Sequence, residues 1–549
     1  EMVRFFARPQ PPGEPARPAL TLAGLLHIRV AQLPEDTRYL MEIIAVAGRP
    51  ITLTHTLAAA GLDGDVRPAL QHLINAELLT LSDVDDDQAL ACSDERASSA
   101  VLAQLDGHAL RGYHERLART YEQAGDANPE LLAFHYRAAR EFELANRYTV
   151  AAADLAWDRH DFSQAARHYA TAVELNTLDP EVSNELRLKL ARALQAAGRD
   201  QEAASVLLEA AQEHASGQAE PEQLIEAGLA LLLTGNIDRG QKILLEAGVQ
   251  VGVRPSVPGW RLGQWVRRGA LRLRGLKFTP KTENFAPLAC TRVDLMWTVA
   301  LARLLLAPET ARASQIRLLR ESLALGEPSR VARAIACEAW LAGLPGTRSS
   351  ARVDELIAYA YEILHQVENP TARGYVGLAE TRSQFARGAW PQTLRRAKSA
   401  RTRMYHEDPT CRRVLWELDW LAALATQKMG RAQPAPAPWS MQMQQADDAR
   451  DHRAYAAYGA LASWQALSEG NLEAANAALT SAVARCPPAP TVRIRLAFVE
   501  AEIRLYAGEL ARSHEVIEST TRSFHQLIAV DQQLRCELRC LQATSLAHG

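Results

Sequence analysis

The stretch Gly198-Arg199-Asp200-Gln201-Glu202-Ala203-Ala204-Ser205-Val206-Leu207-Leu208-Glu209-Ala210 carries the pattern that decides the fold. Counted from Gly198 as a turn, the residues five, nine and twelve on are Ala203, Leu207 and Ala210. The same count from Gly235 gives Gly240, Leu244 and Ala247, and from His160 it gives Ala165, Tyr169 and Ala172. Offsets of four and then three put these positions on one face of a helix, within roughly 60°. Small residues at the first and third positions let another helix approach closely, and the larger residue between them fills the groove.

The template recurs along the chain. Gly388 leads to Thr393, Leu394, Ala397 and Ala400; Gly470 to Ala475, Leu479 and Ala482; Gly508 to Ser513, Ile517 and Thr520; and, upstream, Arg140 to Ala145, Thr149 and Ala152. From His160 to Gly198 to Gly235 the turns are 38 and 37 residues apart. A period of that size predicts helix-turn-helix units that bury their apolar faces only by stacking on one another. The pattern resembles the second helix of a tetratricopeptide (TPR) unit, and the expectation is a TPR-like α-solenoid.

Composition agrees with this reading. At 549 residues the chain is too long for one hydrophobic core. It is 48% hydrophobic and 23% charged, in the globular range, and its 97 alanines favour closely packed helices. A net charge of −3 gives no global field toward nucleic acid or an anionic membrane. Seven scattered cysteines argue against a disulfide scaffold and for a reducing, cytoplasmic setting. The most apolar run, Leu295 to Leu306, carries Arg303 and is too short to span a bilayer. Glu1 followed by Pro9, Pro11, Pro12, Pro15 and Pro18 reads as a linker cut out of something longer.

Residues 33 to 92 break the repeat pattern. Leu40, Ile43, Ile44 and Ala47 form a helical stripe ended by Gly48 and Pro50. A second helix is expected over Leu53 to Ala60, closed by Gly61, and a third begins at an Asp65 cap and carries Leu70, Leu73, Ile74 and Leu78. Short strands follow at Leu79 to Leu81 and Ala89 to Cys92, around a turn from Ser82 to Asp87. Three helices and a β-hairpin make a winged-helix domain. From Leu102 the chain returns to helix. The fold class expected is therefore mostly α, a winged helix followed by a TPR-like solenoid. The predicted parts are a linker over 1–20, the winged helix and connecting helices over 21–125, and TPR-like repeats over 126–250. A basic helical insertion follows over 251–290, helical repeats over 291–430, a Pro/Ala-rich linker over 431–440 that should break the solenoid, and C-terminal TPR-like repeats over 441–549.

The order of parts resembles a family. Leu33-Pro34-Glu35-Asp36-Thr37-Arg38 and Ile43-Ile44-Ala45-Val46-Ala47-Gly48-Arg49-Pro50 look like the start of the winged-helix module of STAND signal-transduction ATPases. In such proteins the module follows a P-loop ATPase and leads into TPR-like repeats. Leu271-Arg272-Leu273-Arg274-Gly275-Leu276-Lys277-Phe278 is similar to a stretch in bacterial proteins that join a serine/threonine protein kinase, an ATPase and a helical tail. One departure is Ser93-Asp94, where relatives often carry His-Asp. The resemblance implies that ATP and magnesium belong to domains preceding Glu1, and that the partners of this chain are another protein or its own ATPase and kinase domains.

Chemistry is sought in the sequence and not found. A phosphate loop needs Gly-Lys before Ser or Thr, and the chain has no Gly-Lys pair. The nearest strings to kinase motifs are Asp451-His452-Arg453-Ala454 and Asp161-Phe162-Ser163, the second on a repeat turn where Phe162 packs between helices. His114-Glu115 is followed by Ala118, not a second histidine, so there is no zincin helix. Cys536 and Cys540 lie one helical turn apart and, with no second pair nearby, read as core cysteines rather than metal ligands. The expectation is no enzymatic activity, no cofactor and no metal in this chain. DNA binding is not expected, because Asp83, Asp85, Asp86 and Asp87 at the wing tip repel phosphate, against only Arg67, Gln71, His72 and Asn75 on the third helix. Gly248 to Thr282 contains no acidic residue. There Arg267, Arg268, Arg272 and Arg274, with Trp260 and Trp265, form a candidate basic amphipathic helix, read either as a solvated or intrachain-paired helix capping the first solenoid block or as a docking element for an acidic surface on a partner or on the preceding domains. The function expected is a non-catalytic sensor and protein-interaction region of a larger signalling protein. The alternatives are the tail of a STAND-type transcription regulator and a freestanding TPR scaffold.

Overall fold

The computed structural model describes residues 29–61, 66–84, 87–125, 128–175, 180–212, 220–253, 275–281, 283, 285–430, 439–448, 451–487 and 489–548. The fold is mostly α and TPR-like. The chain divides into two compact units, residues 1–158 with 171–178 and residues 159–170 with 179–549.

The first unit begins with α1 (Glu35–Ala47), β1 (Ile51–Thr52), α2 (Leu53–Ala60) and α3 (Arg67–Asn75). The hairpin of β2 (Leu79–Val84) and β3 (Asp87–Cys92) follows, then α4 (Glu95–Leu102), α5 (Gly107–Ala124), α6 (Pro129–Ala139) and α7 (Phe142–Asp158). The stripe Leu40, Ile43, Ile44 and Ala47 is buried, and α1 ends at Gly48 in the left-handed conformation. Thr52 caps α2 by accepting from the His55 backbone N–H, and Gly61 closes it. The three helices and the hairpin stand where the sequence places them, with four differences. Leu78, expected on the third helix, lies beyond its end at Asn75, buried just ahead of β2. The strands run on to Val84 and from Asp87 in continuous antiparallel register, so the turn is shorter than expected. Ile51–Thr52 adds a third strand, giving the sheet order β1-β3-β2; two residues are too few to show an alternating pattern. Helix resumes at Glu95 rather than Leu102, because Asp94 accepts from the Ala97 N–H at 2.7 Å and caps α4. Asp65 lies outside the described residues. The unit also runs past 125: Leu117, Tyr121, Leu132, Tyr136 and Ala145 share one core with α1 and the sheet.

The helices that follow are α8 (Phe162–Glu174), α9 (Pro180–Ala196), α10 (Asp200–Gln212), α11 (Pro221–Leu233), α12 (Ile237–Gln250), α13 (Pro287–Leu306), α14 (Ala311–Leu325), α15 (Pro328–Gly343) and α16 (Ser350–Leu364). They continue as α17 (Pro370–Ala386), α18 (Trp390–Glu407), α19 (Arg412–Lys428), α20 (Trp439–Asp448), α21 (His452–Ser468), α22 (Leu472–Arg485), α23 (Pro490–Tyr506), α24 (Leu510–Val530) and α25 (Gln532–His548). The seven template turns, Arg140, His160, Gly198, Gly235, Gly388, Gly470 and Gly508, all have φ between 61° and 96°. The template positions are buried: Ala203, Leu207 and Ala210 at 0%, 2% and 0% exposure, and Ala475, Leu479 and Ala482 at 0%, 6% and 0%. Between α11 and α12 the approach is so close that a Cβ on Gly240 would lie 2.9 Å from the Gly228 carbonyl oxygen and 2.8 Å from Leu232. Only glycine fits there.

The expected interruptions do not divide the second unit's core. One apolar cluster runs from Ala204 to Ile503 and includes residues on both sides of 431–440 and of 251–290. Between Arg254 and Thr282 the described residues are Gly275–Lys281, which are non-helical, with Leu276 and Phe278 against the core. The Tyr359 hydroxyl donates to the Leu276 carbonyl at 3.3 Å, and the Lys281 N–H donates to the Gly326 carbonyl at 3.0 Å.

Candidate ligand-binding cavity

In the second unit α13, α15, α17, α19, α21 and α23 pack side by side in a row. Their shared face is rich in aromatic and charged groups. The Arg333 guanidinium lies over Trp297 at 5.1 Å, Arg382 over Trp340 at 4.3 Å, and Arg453 over Trp416 at 4.7 Å. Each pair joins one helix of the row to the next one along. Glu417 on α19 is fully buried and accepts from both Arg382 and Arg453. Burial alone would raise its carboxyl, but the two guanidiniums outweigh that and hold it below its ordinary value. The carboxylate is therefore a clamp between α17 and α21, with no face left for a ligand.

The C-terminal end of the row opens into a cavity of about 790 Å³, within the range typical of small-molecule sites. Phe498, Glu502 and Tyr506, each four residues apart, present one face of α23 to it. Trp390, Trp420 and Leu461 line other walls, and α25 supplies Cys536, Glu537 and Cys540. Helix α25 is held at its N-terminus, where the Gln532 N–H donates to the Leu344 carbonyl at 2.9 Å and Gly346 stands hard against the Gln532 amide.

Charge is concentrated at one side of this cavity. Arg495 donates to Glu537, Lys428 lies 3.4 Å from the same carboxylate, and the Gln533 amide donates to it at 2.7 Å. Burial pushes the Glu537 carboxyl up, but the two cations and these hydrogen bonds win and bring it to about 2. Asp531 caps α25, accepting from the Gln533 and Leu534 N–H groups at 2.9 and 3.0 Å. Arg387 is engaged in a bidentate pair with Asp354 at 2.9 and 3.1 Å. Glu502 differs from all of these. Among the described residues its carboxylate makes no hydrogen bond or ion pair, and burial keeps it above its ordinary value against the pull of Lys428.

The sequence-predicted residues fare unevenly. Arg267, Arg268, Arg272, Arg274, Trp260 and Trp265 lie outside the described residues. Cys536 and Cys540 are exposed, which corrects their reading as core cysteines: they stand at the cavity wall, on the side of α25 turned from its own core contacts. Arg67, Gln71 and His72 are exposed on α3, and Gln71 donates to Asn75 at 3.2 Å. Among the described residues no three His, Cys, Asp or Glu side chains gather to hold a metal ion, and no helix is long and apolar enough to cross a membrane. The cavity itself was missed, though a signal for the row exists. Trp297 to Arg333, Trp340 to Arg382 and Trp416 to Arg453 are separated by 36, 42 and 37 residues, close to the repeat period.

No family model and no curated protein matches the chain. Among solved structures it is similar to the Signal Transduction ATPase with Numerous Domains (STAND) protein with a tetratricopeptide repeat sensor from Pyrococcus horikoshii. That similarity has 10% sequence identity and a TM-score of 0.33, and covers 86% of this chain. The chain spans 66% of that protein's chain, just under two thirds.

Proposed function

We propose that this chain is the non-catalytic sensing and interaction region of a larger bacterial signalling protein, a serine/threonine kinase joined to a P-loop ATPase. The observation that carries the reading is the cavity at the end of the helix row: Glu417 and its two arginines clamp helices within the row, whereas the end of the row leaves an open-mouthed space whose carboxylate Glu502 makes no hydrogen bond or ion pair among the described residues. Residues 35–92, with their helix-strand-helix-helix-hairpin order, are the winged helix that transmits the sensed state to the ATPase. Ligand occupancy would shift the population of arrangements the repeats allow, and the bias would pass to the ATPase without chemistry in this chain. The winged helix meets protein rather than DNA, since its hairpin tip is acidic. Neither ATP nor a metal is needed here; both belong to the domains that carry the phosphate loop.

Two measurements test this. Calorimetry of residues 1–549 with Mg-ATP is expected to show no binding, and micromolar binding would overturn the proposal. In the full-length protein, filling the cavity by Leu461→Trp is expected to change the nucleotide-hydrolysis rate while the chain keeps its helical circular dichroism. An unchanged rate in a folded variant would remove the cavity from the signalling route.

A further inference from the structure

Charge and wall chemistry together define what the cavity can hold. Arg495 faces three carboxylates: Glu537, which it shares with Lys428; Asp531, which caps α25 just outside the cavity lining; and Glu502, which Lys428 also faces. Arg387, the other cation at the wall, is taken by Asp354. One negative charge is thus left over, and it belongs to the carboxylate without a direct partner. Glu502 sits between Phe498 and Tyr506 on the same helix face, with the indoles of Trp390 and Trp420 on other walls. Phe498 and Trp420 are 5% and 7% exposed and are fixed in the core, whereas Tyr506 is 60% exposed at the mouth. The faces of such rings carry negative electrostatic potential and attract cations, more strongly where water is excluded. An anionic ligand would meet the spare carboxylate and the same ring faces, and both would repel it.

We propose that this cavity binds a small organic cation with an apolar, ring-bearing body, its ammonium or guanidinium group paired with Glu502. Size supports a small molecule, since 790 Å³ is far more space than one protruding side chain would fill. The body would lie against Trp420, Leu461 and Phe498, and the head would complete the set of charges that Lys428 and Arg495 leave one short. This assignment rests on the reading of the cavity as the sensing site and names the chemistry it senses.

Three probes with one body and three heads test it on the full 549-residue chain: tryptamine, 3-propylindole and indole-3-propionate. Calorimetry is expected to rank tryptamine tightest, by at least about tenfold over 3-propylindole, with indole-3-propionate weakest. Glu502→Gln is expected to bring tryptamine down to the affinity of 3-propylindole and to leave 3-propylindole within about twofold. Because Glu502 makes no contact the fold depends on, the variant's thermal melt should match that of the parent. Tyr506→Ala, at the exposed mouth, gives a second variant that weakens tryptamine more than the neutral probe. Equal affinities, a preference for the propionate, or no binding of any probe at millimolar concentration would each overturn the proposal. If tryptamine binds as expected but leaves the full-length protein's nucleotide hydrolysis unchanged, the site stands and the sensing role falls. If tryptamine does not bind while Leu461→Trp alters hydrolysis, the sensing role stands and the ligand class falls.

Discussion

The joint between α11 and α12 and the clamp around Glu417 solve the same problem by opposite means. Both hold neighbouring helices together. At the joint, Gly228 and Gly240 bring two backbones so close that no side chain fits between them. At the clamp, a carboxylate with no solvent exposure bridges Arg382 and Arg453, each lying on a tryptophan ring. The joint derives its strength from close contact of apolar atoms and tolerates no added volume. The clamp derives its strength from charge compensation and tolerates no lost partner. The first kind of contact sets the repeat and the second sets the row, so each should fail under a different insult.

The largest effect should come from the clamp. Glu417→Ala leaves two guanidiniums desolvated without a counter-charge, and chemical denaturation should show a loss of about 3–5 kcal/mol. Replacing all three members by apolar residues should cost less than the single change, because no uncompensated charge remains. If Glu417→Ala cost no more than an ordinary surface substitution, the clamp would not be holding the row.

One joint sharpens the comparison because it carries polarity where others carry alanine. His114 on α5 and His135 on α6 meet through their Nδ1 atoms at 2.9 Å, and His135 is 0% exposed with its Nε2 unpartnered. Burial, with smaller contributions from His114 and Arg49, lowers the His135 pKa to about 3. The unfolded chain takes up this proton near pH 6.5 and the folded chain does not, so stability is complete above pH 6.5 and declines as the pH falls toward 3. Between pH 6.5 and pH 5 the loss should reach about 2 kcal/mol. Urea titrations of the parent and of His135→Phe at pH 7 and pH 5 should show this slope in the parent and its reduction in the variant.

Smaller effects follow at the joints themselves. Gly240→Ala forces a methyl group against the Gly228 carbonyl and Leu232, and should destabilise by about 1–3 kcal/mol, whereas Ala203→Gly at the equivalent template position should lose only about 1 kcal/mol of helix propensity. Arg140 holds φ at 67° where most joints use glycine. Arg140→Gly should relieve left-handed strain but add unfolded-state freedom, leaving a net gain below about 1 kcal/mol by thermal melt.

What could be read from the sequence divides along the same line. The joints were legible because a turn, a small residue and a large residue at fixed offsets report a contact made within some 40 residues. Even Arg140 and His160, which lack glycine, were marked by the small residues that follow them. The hairpin was legible and β1 was not, since a two-residue strand earns its place only by pairing with β3. Glu417 was invisible: among 64 acidic residues nothing local separates it from an exposed one, and its partners Arg382 and Arg453 come from neighbouring repeats. The same holds for Glu502, whose significance is the absence of a partner among side chains from α19 and α25. Cys536 and Cys540 misled because their spacing fits an apolar helix face equally well, and only the way α25 lies decides which face is which.

The bond from the Gln532 N–H to the Leu344 carbonyl has a mechanical consequence. A linear stack of repeats, pulled from its ends, can yield one unit at a time. Here the chain leaves Leu344 and returns to it 188 positions later, so a load applied along the chain passes through that short tether before it reaches the repeats between. Those residues form a shielded loop whose extended length is about 620–680 Å. Under force they should lengthen only after the anchor of α25 has parted, as a late, long step in extension rather than a series of small ones.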